Sequence, residues 1–142
     1  MEDTIVLYED THLKSTFFTT KKYILNYWTG SGFLTDELFK EGMTGVAKAA
    51  LEHDAKGILV NTLKFDLPIS PELQQWYNEN IVPMHLAAGI TRMAFLLTDD
   101  FYAQLSIEQT MAEQQAKAQV TQYFNDYAKA EQWLMAPDSG LL

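Results

Sequence analysis

The chain has no cysteine. That excludes disulfides, thiol nucleophiles and thiolate metal sites, and it agrees with a reducing compartment. Histidine is almost as scarce. His12, His53 and His85 are the whole set, and no two share the i, i+4 spacing of a helical metal pair. No metal and no cofactor are expected. No apolar run approaches the ~18 residues of a membrane span. Met1-Glu2-Asp3 opens without the basic start or apolar core of a signal peptide. A cytoplasmic protein with no stable membrane insertion is expected.

Positive charge is also short. The 142 residues hold 10 Lys and Arg against 19 Asp and Glu, for a net charge of −9. Beyond residue 64 the only cations are Arg92, Lys117 and Lys129. Nucleic acid and anionic membranes reward clustered Lys and Arg, so neither is an expected partner.

What the chain has is apolar material in two distinct rhythms. Hydrophobic residues make up 47% of it, which suits one globular domain over 1–142 with a core of about 4–135 and a loose tail after Ala136. Gly57-Ile58-Leu59-Val60 and Met93-Ala94-Phe95-Leu96-Leu97 are apolar at every position, as strands buried on both faces are. Residues 4–8, 15–20 and 23–28 are rich in β-branched and aromatic residues and read as strands. The stretch 15–20 reads as a sheet edge able to pair across a two-fold axis, making a homodimer a candidate.

Helical rhythm follows each break. Thr35 is placed to cap a helix with Phe39, Met43, Val46, Ala47, Ala50 and Leu51 on one stripe, ending near Lys56-Gly57. Ser70-Pro71 opens a second, which Pro83 interrupts and Gly89 ends. A third runs from about Asp100 to Lys117 and contains the capping box Ser106-Ile107-Glu108-Gln109. Residues 120–124 form a last strand, and Asp126 caps a final helix. The order βββαβαβαβα predicts an α/β fold: a mixed sheet of five or six strands, antiparallel first and then parallel.

This order resembles the STAS fold of bacterial anti-sigma-factor antagonists. More closely it resembles small bacterial proteins of STAS-like or CRAL-TRIO-like type, most of them uncharacterised. The residues that carry the likeness are Tyr27-Trp28-Thr29-Gly30, Ile58-Leu59-Val60-Asn61-Thr62, Ser70-Pro71-Glu72, Pro83, Gly89, Tyr123-Phe124, Ala130 and Trp133-Leu134. In the antagonists a phosphorylatable Ser or Thr lies between the inner strand and the second helix. The resemblance thus marks Thr62 and Ser70 as candidate phosphorylation sites. The Asp-Ser-Ser-Gly-like sequence that carries the site there is replaced here by the longer, apolar Leu63–Ile69 stretch.

No catalytic motif is found. Gly30-Ser31-Gly32 has Thr35 where a dinucleotide fingerprint needs its third Gly. Neither Ser31 nor Ser70 sits in a nucleophile elbow. Asp99-Asp100 reads as a helix start. A non-enzymatic protein is expected: a regulatory, partner-binding STAS-like module, or alternatively a carrier or sensor of a small apolar, lipid-like ligand.

Ligands of open parallel sheets bind beyond the carboxyl ends of the strands. That edge would gather Thr29, Ser31, Asn61, Thr62 and Thr98. The candidate contact residues are Asn61, Thr62, Asp66 and Ser70, with Trp76 beneath them. Trp76 and Tyr77, beside the Phe65–Ile69 loop, are placed to line an apolar mouth.

Overall fold

Six strands form one mixed sheet whose order in space is the order in sequence. They are β1 (Thr4–Glu9), β2 (Leu13–Phe18), β3 (Tyr23–Trp28), β4 (Gly57–Asn61), β5 (Arg92–Leu96) and β6 (Val120–Phe124). The computed structural model describes residues 3–65, 67, 69–100 and 120–136. The expected helix at 100–117, its capping box and the tail after Ala136 lie almost wholly outside those residues. Four described helices accompany the sheet: α1 (Asp36–Ala50), α2 (Pro71–Asn80), α3 (Val82–Ala87) and α4 (Tyr127–Met135). None of the described helices is long and apolar enough to cross a membrane.

β1, β2 and β3 are antiparallel neighbours, and β3 to β6 run parallel. The two all-apolar runs are β4 and β5, adjacent and inside the sheet, as their sequence requires. Parallel strands in sequential order carry their crossovers on one face when the crossovers share a hand. Accordingly α1, α2 and α3 pack on the face formed by Leu13, Phe17, Ile24, Trp28, Ile58, Val60 and Met93. The other face presents Tyr23, Leu59, Ala94 and Leu96 to Ala130 and Leu134 of α4.

Local chemistry sets the boundaries. The Asp10 carboxylate accepts the backbone N–H groups of His12 and Leu13 at 2.7 and 2.8 Å, closing the β1–β2 turn. Strand β2 therefore starts at Leu13 and ends at Phe18, two residues earlier than expected. Residues 19–22 form the second turn, with Lys22 at a φ of +64°. Thr35 and Ser70 each accept the N–H three residues on, at 3.2 and 3.1 Å, as N-caps do. Pro83 restarts the helix as α3 rather than kinking α2. Gly89, at a φ of +87°, ends it.

Two expectations fail. Helix α1 stops at Ala50, not near Lys56: the Leu51, Glu52 and His53 N–H groups bond three residues back, tightening the chain out of α geometry. Leu51 is 48% exposed and leaves the stripe. Residues 15–20 are not a sheet edge, because β2 is bonded on both sides; the edges among the described strands are β1 and β6. On β1 the register slips between Val6 and Tyr8, an irregularity that blunts an open edge.

Helix α4 is anchored at its middle and at its C-terminal end. The Tyr23 hydroxyl donates to Glu131 at 2.6 Å, and Lys21 meets the same carboxylate at 3.0 Å. Arg92, 3% exposed, donates from Nη1 to the Trp133 and Ala136 carbonyls, both at 2.7 Å. A cation on terminal helix carbonyls offsets the helix dipole, so Arg92 is explained structurally.

Candidate functional site

A cavity of about 360 Å³ lies between the sheet and α2. Its floor is alternate residues of four parallel strands: Asn26 and Trp28 on β3, Val60 and then Thr62 on and after β4, Met93 and Phe95 on β5, Thr121 and Tyr123 on β6. These positions share a face because the pleat repeats every two residues and the registers align Asn26, Val60, Phe95 and Tyr123 across the strands. Phe39 and Met43 of α1 close one side. Phe65 and Ile69 of the loop, with Leu73, Gln74, Tyr77 and Asn78 of α2 and Val82 of α3, form the roof.

The aromatic side is closely packed. Trp28 stacks on Phe39 with ring centres 5.5 Å apart, and Phe65 meets both edge-on at 5.0 and 6.0 Å. The loop that carries Phe65 is held to the sheet end. Thr62 donates to the Leu96 carbonyl from N at 3.1 Å and from Oγ1 at 2.8 Å. Gly30, at a φ of +75°, comes so near Lys64 that a Cβ there would lie 2.9 Å from the Lys64 Cβ. Burial pushes the Tyr77 hydroxyl above its ordinary range, so it stays a neutral group.

The floor is not wholly apolar. Asn26 is 3% exposed and directly opposite Ser15, itself 0% exposed. The Ser15 hydroxyl donates to Asn26 Oδ1 at 2.7 Å. Sequence reasoning missed this pair. Its signal was a polar residue between Ile24 and Trp28 on the inward face of a strand.

The expected contact residues are only partly brought together. Thr62 lines the cavity. Asn61 accepts the Leu63 N–H at 3.1 Å, a local turn contact. Ser70 accepts the Leu73 N–H and is absent from the described lining. Trp76 lines a separate shallow groove with Tyr8 and Lys40, whose ammonium sits 5.5 Å from its ring centre. Asp66 lies outside the described residues. Phe65, Ile69 and Tyr77 do line the cavity. The described residues contain no cluster of three or more His, Asp and Glu that would hold a metal.

Ser70→Ala separates cap from contact. The expected result is a loss of about 1 kcal/mol in chemical denaturation, the usual cost of an N-cap, with ligand affinity unchanged.

Comparison of the chain with protein-family models, with curated proteins and with solved structures returns no match.

Proposed function

We propose that this chain is a non-enzymatic binding module of STAS-like architecture, a carrier or sensor for a small, largely apolar ligand held over the carboxyl halves of its parallel strands. The observation that carries the reading is the cavity. Its volume falls in the range of small-molecule sites, about 300–1,000 Å³, and its lining follows their pattern of aromatic and aliphatic side chains with a few polar groups. Protein interiors are packed as densely as organic crystals. A sealed, dry void of this size would cost roughly 9 kcal/mol at the slope measured for core truncations. This cavity is only partly enclosed, so its cost is smaller, but an occupant still accounts for it better than a packing accident does.

The sequential sheet with helices on both faces supports the STAS-like reading. The phosphoswitch finds less support, because Ser70 is engaged as a cap and Thr62 is bonded to β5. Regulation through the bound ligand is the simpler proposal.

Native mass spectrometry of gently purified protein tests this. A non-covalent mass above 16.2 kDa, released on denaturation, is expected. A bare chain that also fails to bind apolar probes contradicts the reading.

A further inference from the structure

The chemistry of the lining narrows the ligand. Among the described residues around the cavity there is no Lys, Arg, His, Asp or Glu. An isolated charge in an apolar space needs a counter-charge or a dense set of hydrogen bonds, and the described lining offers no counter-charge. Trp28, Phe39, Phe65 and Phe95 instead supply flat apolar surface.

One group points to a polar contact. Asn26 Oδ1 accepts from the Ser15 hydroxyl, which leaves the amide NH₂ as the other end of the side chain. The amide N–H groups have no partner among the described residues. The nitrogen is not among the fully buried unpartnered atoms, so it keeps contact with the cavity space, where a ligand acceptor can meet it. Asn26 is buried to 3% exposure and forms part of the cavity floor.

We infer that the cavity takes an uncharged, largely apolar molecule bearing a hydrogen-bond acceptor, a carbonyl or ether oxygen, which the Asn26 amide receives. This rests on the reading of the cavity as a ligand site and assigns its specificity to Asn26. Carboxylate-bearing ligands bind more weakly, because no cation among the described lining residues meets them. Hydrocarbons of the same shape bind more weakly, because they leave the amide unpaired.

Three near-isosteric probes test this by isothermal titration calorimetry at pH 8: 2-acetylnaphthalene, 2-isopropylnaphthalene and 2-naphthoate. The wild-type chain is expected to bind the ketone about tenfold or more tightly than either of the others. Asn26→Leu should bind the ketone and the hydrocarbon alike. Equal affinity for ketone and hydrocarbon in the wild type, tightest binding of the naphthoate, or an unchanged preference in a folded Asn26→Leu variant would each overturn the inference while leaving a ligand cavity standing. Failure of all three probes would overturn both. A second measurement does not depend on the variant folding. The Asn26 side-chain NH₂ signals in a ¹⁵N correlation spectrum should move with the ketone and not with the hydrocarbon. Signals that ignore the ketone at saturation overturn the inference.

Discussion

Leu59→Asp is expected to abolish soluble, cooperative folding. Leu59 is 0% exposed in the middle of β4, paired with Leu25 on one side and Ala94 on the other. Its side chain belongs to the cluster with Tyr23, Leu96, Ala130 and Leu134 under α4. The buried cation on that face, Arg92, is committed to the Trp133 and Ala136 carbonyls, so an aspartate there is either a buried charge without a dedicated partner or a protonated acid without a full set of partners. Either costs several kcal/mol, against a total stability of about 5–15 kcal/mol for a domain. Circular dichroism and urea denaturation of the variant check it. A variant that stays folded with an ordinary cooperative transition would show that β4 is not central.

A second large effect comes from His85. The ring is 2% exposed in α3, its centre 6.1 Å from that of Tyr77, and Nδ1 has no hydrogen-bond partner among the described residues. Burial pushes its pKa down from 6.5 to about 4. The unfolded chain therefore binds the proton more readily than the folded one between those values. The associated stability is fully present above about pH 6.5 and is lost as pH falls towards 4. A shift of that size corresponds to about 3 kcal/mol. His85→Leu should flatten the stability curve over this window.

A further acid limb, at lower pH, should survive the substitution. The Tyr23 hydroxyl bond holds Glu131 below the usual carboxylate range, against partial burial and with help from Lys21. Burial pushes Asp10 up, but hydrogen bonds from Tyr8, Leu13 and His12 outweigh it, so that group is also lowered. Both contributions are lost as these carboxylates protonate. Denaturant midpoints at pH 7.5, 5.5 and 4.5 check the assignment. An identical slope in wild type and His85→Leu would remove it.

The sheet was legible because its signals are local and periodic. Residues 57–60 and 93–97 are apolar on both faces, which only inner parallel strands under two helical layers require. Thr35, Ser70 and Asp126 carry cap chemistry that does not depend on the rest of the fold. Boundaries set by single hydrogen bonds were less legible. The start of β2 depends on the Asp10 carboxylate folding back, and the end of α1 on three-residue bonds at 51–53. The order of strands β1 and β2 decides which one is an edge, and pairing order is a tertiary property.

The cavity was the least legible part. Its floor joins residues from four strands at spacings that only the register reveals. Polar residues at strand ends and the helix cap drew the sequence reading to Asn61, Thr62 and Ser70. Asn26 stood unnoticed in mid-strand, where only its facing tells it apart from a solvated residue.

The most direct test of the cavity is titration of the wild-type chain and of Val60→Phe with N-phenyl-1-naphthylamine, a neutral apolar fluorophore, with thermal unfolding of both. Val60 is 6% exposed, and its register places a phenyl ring between Asn26 and Phe95, inside the space. Filling a genuine cavity commonly stabilises a protein by about 0.5–2 kcal/mol. The expected result is saturable one-to-one binding by the wild type, and a variant that unfolds at the same or higher temperature but binds at least about tenfold more weakly. No saturable binding by the wild type, or equal affinity in a folded Val60→Phe, would contradict a ligand site between the sheet and α2.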